Sequence, residues 1–155
     1  MPVAVQAVFS RESFALSWAD ARPLLHKHWI EIAYYQDIPL DPDVERYQAL
    51  DDSGKLRIYT ARVDNRLVGY AVFFVSLHPH YKTSLQASED VLYLDPDYRR
   101  WHLGSSLIDY AERELAGEGV AAIYQHVKAK HPALGAILTS KGYELIDLIY
   151  GKRIS

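Results

Sequence analysis

The 155-residue chain contains no cysteine. Disulfide bonds, thiolate zinc sites, iron–sulfur clusters and a cysteine nucleophile are therefore excluded. Nothing in the composition requires an oxidising compartment. We therefore expect a cytoplasmic protein.

Long apolar runs are also missing. The run at 70–77 is far shorter than the roughly 20 residues that a membrane helix needs. The N-terminal stretch 1–10 is apolar but has no basic region, and it is followed by Arg11 and Glu12, which is not typical of a signal peptide. The sequence predicts no membrane partner.

A strong charge imbalance is absent as well. The formal net charge is only -3, which gives no general electrostatic reason to bind nucleic acid or an anionic membrane. We therefore predict no nucleic-acid partner. The chain is 49% hydrophobic and shows no linker, repeat or low-complexity stretch, so we expect one globular domain over 1–155.

Apolar periodicity and turn residues predict the element order β-α-α-β-β-β-α-β-α-β. The first helix is capped at Ser17 or Asp20, carries Pro23 in its first turn and ends near Asp37. The second is capped at Asp41. The remaining ranges are strands at 3–9, 56–63, 67–77, 88–94 and 120–127, helices at 42–50, 104–115 and 132–141, and a closing extended segment at 143–154.

The strand at 91–94, the helix from Gly104 and the strand from Val120 form a βαβ unit. Such a unit makes its two strands parallel, with a right-handed crossover. The other strands read as antiparallel, and Asp64-Asn65 predicts a tight hairpin turn. The predicted fold class is α/β (α+β), with a mixed, mostly antiparallel sheet, a central parallel βαβ unit and helices on both faces.

The most informative stretch is the loop inside this unit. The strand ends at Asp95-Pro96, two arginines follow at Arg99 and Arg100, and the next helix begins at Gly104. Free backbone N–H groups, the helix dipole and two guanidinium groups together suit an anion such as a pyrophosphate. The alternative is an ordinary loop whose arginines are only solvated.

This loop resembles the acetyl-coenzyme A loop of the GCN5-related N-acetyltransferases, whose motif is Arg or Gln, two residues, Gly, one residue, then Gly or Ala. Arg99 and Gly104 occupy the first and last positions, Leu103 stands between the glycine positions, and His102 replaces the first glycine. The stretch 141–143 is similar to the family's Lys-x-Gly-Phe ending. The resemblance covers nearly all of the chain.

Within that family, the chain looks most like the small single-domain acetyltransferases of phage and prophage genomes. The similarity lies in 28–31, in His80-Tyr81, and in Asp90 and Tyr93.

The resemblance implies acetyl-coenzyme A as co-substrate. Its pyrophosphate would lie on the loop amides, and its pantetheine between the strand ends at 92–94 and 120–127. The cofactor-binding residues implied are Leu92, Tyr93, Leu94, Arg99, Arg100, Trp101, His102, Leu103, Gly104 and Ser105. A side chain at His102 either displaces the cofactor slightly or is tolerated because the local φ is negative.

A second departure concerns the leaving group. Many family members have a tyrosine four residues before the glycine that corresponds to Gly142, where it protonates the departing thiolate. This chain has Leu138 there. Water, another hydroxyl or unassisted departure must then serve. Tyr143 is the nearest phenol in sequence, although it also fits a packing role after the helix cap.

Transfer to an amine requires a base, because an ammonium group has no lone pair. Glu31 shares a helix face with His28, and the resemblance places that helix beside the acceptor. On the cofactor strand, Glu89 and Asp90 point to opposite faces, with Asp90 on the face of Leu92 and Leu94. Glu31 and Asp90 are therefore candidate bases, and surface charge is the alternative for each.

Histidines form a third group. His78 and His80 lie two apart on an extended segment and can face the same way. One interpretation is that they bind zinc together with His26 or His28. No acid or thiolate spacing completes such a site, so no metal is predicted. We interpret His80 instead as a proton relay lining the acceptor site. The isolated His126 and His131 are interpreted as structural.

The combined hypothesis is an N-acetyltransferase of EC 2.3.1 type. It would transfer an acetyl group from acetyl-coenzyme A to a primary amine, of a small molecule or a protein, by direct attack in a ternary complex. The alternative is a catalytically weak or inactive binding module that acts through a protein partner, which Leu138 and His102 favour. The C-terminal segment is short for the family's last two strands, so a homodimer covering a free sheet edge is also predicted.

Overall fold

The computed structural model describes residues 5–155, and its centre is a five-stranded sheet in the order β1-β2-β3-β4-β5. Neighbouring strands are antiparallel from β1 to β4, whereas β4 and β5 are parallel. The predicted mixed sheet with a parallel βαβ unit is confirmed. The strands are β1 Val8–Glu12, β2 Leu56–Val63, β3 Arg66–His78, β4 Tyr81–Leu94 and β5 Ala122–Tyr124; the helices are α1 Phe14–Ile32, α2 Val44–Asp52, α3 Leu103–Gly117 and α4 Ala133–Ser140.

Helix α1 begins earlier than its sequence suggests. Ser13 caps it, with the Leu16 N–H donating to the serine Oγ at 3.2 Å. The predicted cap Ser17 is buried and donates its hydroxyl to the Ser13 carbonyl at 2.9 Å instead. Pro23 therefore lies inside the helix rather than in its first turn. The predicted end near Asp37 is also wrong, because α1 stops at Ile32.

Helix α2 also begins elsewhere. Asp43, not Asp41, accepts the cap hydrogen bond, from the Arg46 N–H at 2.9 Å. Residues 38–42 thus form an extended connection between the two helices, with prolines at Pro39 and Pro42. This connection forms one wall of the site described below.

The hairpins follow turn chemistry. Asp64 and Asn65 both have positive φ, 48° and 65°, which confirms the predicted tight turn between β2 and β3. The second hairpin was not predicted. Strand β4 begins at Tyr81 rather than at the predicted residue 88, and its first part pairs with β3, for example Leu85 with Leu77.

A β-bulge interrupts the pairing of β3 and β4. Val72 pairs with Val91, but the next residue Phe73 pairs with Glu89, so Asp90 is the extra residue. A bulge displaces the alternation of side chains and bends its strand. Only three residues of β5 then pair with β4, ending at Ser88 with Tyr124.

The helices pack on both faces of the sheet. One apolar cluster lies between α3 and the sheet and contains Tyr59, Phe73, Leu107 and Leu115, all at most 1% exposed. The other lies under α1 and α2 and contains Phe14, Leu56 and Tyr70. The sheet separates these two layers. The side chains of β4 that follow its last pair with β5 therefore lie where the two strands separate.

The closing segment forms no strand within the described residues. Its ends are held by Tyr143, which donates to Glu112 at 3.2 Å, and by Arg153, which lies 3.0 Å from Asp37. Between them, large apolar side chains face solvent, with Leu145 83% and Tyr150 90% exposed. The predicted first strand at 3–9 starts only at Val8, and its residues 3–4 lie outside the described part. None of the helices described is long and apolar enough to cross a membrane.

Candidate active site

Strands β4 and β5 separate directly after their last pair, and a carboxylate takes the place of the next ladder contact. The His126 N–H donates to Glu89 Oε2 at 3.0 Å. His126 Nδ1 lies 2.8 Å from the Glu89 carbonyl oxygen and 3.1 Å from Oε2. Glu89 therefore holds the chain of β5 away from β4 while it fixes the imidazole ring.

The Glu89–His126 pair is suited to proton transfer. Glu89 is 7% exposed, and burial raises the pKa of its carboxyl group. The His126 side chain is 48% exposed, and its contacts with Glu89 use Nδ1, which leaves the other ring nitrogen, Nε2, for a ligand. An imidazole held through Nδ1 and open at Nε2 can exchange a proton with a ligand. No local sequence pattern indicates this pair, because a bulge in β4 and the end of β5 bring the two residues together.

Asp90, the bulged residue, does not lie on the same face of β4 as Leu92 and Leu94, although the sequence predicted that it would. Its carboxylate accepts a hydrogen bond from the Tyr47 hydroxyl at 2.6 Å, and burial raises its pKa. Leu92 and Leu94 pack instead toward α3. The predicted shared face is wrong because the bulge shifts the alternation by one residue.

Asp90 lies at the floor of a hollow between α1, α2 and the sheet. This inner hollow has aromatic walls that include Trp18, Tyr47 and Tyr70. An outer hollow adjoins it and shares Leu25, Tyr47 and Val91 with it; Trp29 and the connection 38–42 line the rest of the outer hollow. The two hollows thus lie on either side of Leu25, Tyr47 and Val91, and the inner one contains Asp90.

The loop before α3 adopts a rare backbone conformation. Trp101 and His102 have φ of 54° and 56°, both left-handed. The expectation that His102 is tolerated through a negative φ is therefore wrong. His102 occupies the N-cap of α3 without a side-chain cap bond. The amides of Gly104 and Ser105 belong to the first turn, where no helical carbonyl accepts them, and so face an incoming anion.

Arg99 is oriented by three contacts. Its Nε donates to the Leu94 carbonyl at 2.8 Å, and its two Nη atoms lie 2.8 and 2.7 Å from the oxygens of Glu31. Its guanidinium also lies over the Tyr93 ring, 5.5 Å from the centroid. The hydrogen bond from Arg99 lowers the pKa of Glu31. The structure therefore brings Glu31 to the anion loop as the partner of Arg99.

The other implied cofactor residues differ in exposure. Tyr93, Leu94 and Leu103 are buried, at 4%, 9% and 6% exposed, whereas Arg100 and Trp101 face solvent. His28 stacks on Tyr93 with 4.8 Å between ring centroids. Burial lowers the pKa of His28 to about 4. This histidine is therefore neutral at pH 7, and it packs against Tyr93 close to the loop before α3.

His80 lies elsewhere. It is exposed at the tip of the β3–β4 hairpin, where its N–H donates to His78 Nδ1 at 3.1 Å. It precedes Asp90 by ten residues, which corresponds to about 30 Å along an extended strand. The structure does not bring His80 to the hollow. Within residues 5–155 no three His, Asp or Glu side chains are grouped to hold a metal ion.

A buried apolar side chain, Leu138, occupies the position at which many family members have a tyrosine. Leu138 is 4% exposed and belongs to the buried part of α4. Tyr143 donates to Glu112 on α3, and burial raises its pKa to about 12. Neither residue offers a ready proton donor at the split.

Comparisons with known proteins agree with this geometry. Residues 18–137 match the model of the acetyltransferase (GNAT) family. An aminoglycoside acetyltransferase from an uncultured soil metagenomic sample, solved with trehalose, is 15% identical with a TM-score of 0.76, and 96% of this chain and 97% of that chain are covered. No curated protein matches the chain.

Two further solved structures have similar folds. A ribosomal-protein-alanine N-acetyltransferase from Brucella melitensis biovar Abortus 2308 is 18% identical with a TM-score of 0.71, and 97% of this chain and 100% of that chain are covered. A predicted acetyltransferase from Clostridium acetobutylicum, solved with acetyl-CoA, is 12% identical with a TM-score of 0.69, and 96% of each chain is covered.

Proposed function

Since this chain belongs to the acetyltransferase (GNAT) family, with acetyl-coenzyme A as co-substrate, we propose that it acetylates a primary amine by direct attack in a ternary complex. The observation that carries the proposal is the split between β4 and β5. There, Glu89 and Asp90 lie on the bulged strand β4, His126 follows the end of β5 and bonds to Glu89, and β4 leads directly into the loop before α3.

The chain fits the co-substrate through two features. The amides of Gly104 and Ser105, the dipole of α3 and Arg99 favour a pyrophosphate. Strands β4 and β5 no longer pair with each other beyond Ser88 and Tyr124, so the edge of β4 that follows Glu89 can bind the amide groups of an extended pantetheine arm. Bound acetyl-coenzyme A supplies an activated acetyl thioester.

Asp90 and His126 divide the work on the acceptor. The Tyr47 bond engages one oxygen of Asp90 and leaves the other for the ammonium group. His126, oriented by Glu89, takes one proton through Nε2. The amine nitrogen then forms a C–N bond to the acetyl carbon while the C–S bond breaks. A second proton leaves the nitrogen and reaches the thiolate through water, because Leu138 has no hydroxyl.

Glu31 has a different role from the general base that its sequence position suggested. Its bidentate bond with Arg99 keeps it ionised, and a strongly ionised carboxylate is a weak base. Glu31 is a positioning residue for the loop. This assignment separates two groups of acidic residues, one that serves the cofactor and one that serves the acceptor.

Steady-state kinetics test the proposal. Initial rates at varied acetyl-coenzyme A and amine should give intersecting double-reciprocal lines, whereas parallel lines would contradict a ternary complex. His126→Gln should lower kcat/KM by roughly 10²-fold, since a general base is lost. Asp90→Asn should mainly raise the KM for the amine.

A matched control is Glu31→Gln. It should leave the shape of the pH profile unchanged and alter the calorimetric Kd of acetyl-coenzyme A, since Glu31 acts through Arg99. A flattened profile in this variant would restore Glu31 as the base. Acetyl-coenzyme A binding without any acetylated product would instead favour a binding module.

We also propose a homodimer built on the C-terminal segment. The segment carries apolar side chains on both faces, as expected of a strand buried between two neighbours, and β5 is an edge of the described sheet. Analytical ultracentrifugation should show a dimer that Leu148→Asp converts to a monomer. A monomeric parent protein would contradict this. The phage-type subtype and the cytoplasmic location stay predictions.

A further inference from the structure

We propose that the acceptor is a monoamine with an apolar, aromatic body, rather than a polyamine or a hydroxyl-rich amino sugar. This inference rests on the proposed function and concerns the two adjoining hollows that end at Asp90. Three observations support it. The walls are aromatic, their hydroxyl groups form hydrogen bonds within the protein, and few carboxylates line the hollows.

The walls of the inner hollow are aromatic and already packed against one another. Phe14 stacks on Trp18 with 5.4 Å between ring centroids and on Tyr47 with 5.6 Å. Tyr70 completes this side. Packed rings of this kind form an apolar surround for the ammonium group at Asp90, while the body of the acceptor lies beside Trp29 in the outer hollow.

The hydroxyls in these walls are already paired within the protein. Ser17 donates to the Ser13 carbonyl, and Thr60 bonds to Ser10 and Glu12. Tyr47 bonds to Asp90, and Tyr70 lies 3.4 Å from His28 Nδ1. A ligand hydroxyl buried here would lose its water without gaining a partner, which is unfavourable. The walls thus select against sugars.

Only one carboxylate, Asp90, lines the inner hollow, so only one ammonium group can be paired there. Among the residues that line the hollows, the only carboxylates are Asp90 at the floor and Asp41 at the mouth. The body between them contacts Leu25, Trp29 and Val91. A polyamine would bury further ammonium groups against apolar walls, and unpaired buried charge is strongly disfavoured.

The test compares acceptors that share an ammonium group and differ in body: phenethylamine, ethanolamine, spermidine and neamine. The kcat/KM of phenethylamine should exceed that of each of the others by at least about 100-fold. Faster acetylation of spermidine or neamine would overturn the acceptor class and leave the proposed acetyl transfer standing.

A binding measurement separates the two proposals. Trp18 and Trp29 line the hollows, so phenethylamine should quench tryptophan fluorescence saturably and ethanolamine should not. Saturable quenching with no amine acetylated would support the acceptor class and overturn the acetyl transfer. Absence of quenching by phenethylamine would overturn the class.

A pair of variants locates the effect. Trp29→Ala should raise the KM for phenethylamine about tenfold and leave the Kd of acetyl-coenzyme A unchanged. The matched control Tyr81→Ala removes an aromatic ring, 60% exposed, at the distant hairpin and should change neither quantity. Equal KM values for the parent and Trp29→Ala proteins would contradict the placement of the body in the outer hollow.

Discussion

The buried His28 makes folding stability depend on pH in a calculable way. Its ring is 6% exposed, stacks on Tyr93 and lies 3.4 Å from the Tyr70 hydroxyl. Burial lowers its pKa from 6.5 to about 4. The unfolded chain therefore binds a proton near pH 6.5, whereas the folded chain resists it.

The sign and size follow from this difference. Because the unfolded state binds the proton more tightly, stability falls as the pH drops from about 6.5 to about 4 and levels off below that. Linkage gives a loss of about 2 kcal/mol in the free energy of unfolding between pH 7 and pH 5. Urea unfolding at the two pH values, followed by far-UV circular dichroism, measures it.

Variants isolate this contribution from that of the carboxyl groups. His28→Gln keeps a polar partner for Tyr70 but cannot titrate, so its loss between pH 7 and pH 5 should be smaller by about 2 kcal/mol. His26→Gln, on the exposed side of the same helix, should behave like the parent. If His28→Gln lost as much stability as the parent, the reasoning about the buried ring would be refuted.

Three further substitutions probe the loop and the sheet. Gly104→Asp should abolish acetyl-coenzyme A binding in calorimetry by repelling phosphate, with an unchanged Tm, since a Cβ there meets only a Leu94 methyl at 3.7 Å. His102→Gly should relieve left-handed strain and raise the free energy of urea unfolding by about 1 kcal/mol; a lower value would contradict the strain. Gly69→Ala should cost about 1–3 kcal/mol in the same assay, because its Cβ would lie 2.8 Å from Leu94 Cδ1 and from the Tyr93 carbonyl oxygen; an unchanged midpoint would show that the strand yields.

Structural features that depend on residues close together in the chain could be predicted from the sequence. Asp64-Asn65 specifies its hairpin turn, because these two residues tolerate positive φ. The strand–helix–strand order likewise specifies the parallel pair of β4 and β5. The anion loop at 99–105 stays a prediction from the sequence. Each of these depends on local backbone preferences that the neighbouring residues alone set.

Element boundaries could be predicted less well, since several residues compete for the same role. Ser13 and Ser17 are both good caps, and burial of the Ser17 hydroxyl against the Ser13 carbonyl decides between them. The polar start of β4 has no clear strand pattern of its own. It becomes a strand because β3 offers it a partner.

The sequence by itself determined the family resemblance and the order of the helices and strands from β1 to α4, because local patterns encode each element. It did not predict that the closing segment forms no strand. The tertiary structure alone decided which partner each acidic residue meets. Glu31 meets Arg99 across the fold, Glu89 meets His126 where two strands part, and one bulge turns Asp90 toward Tyr47. Pairings between residues this far apart depend on packing and strand register, which no local pattern records.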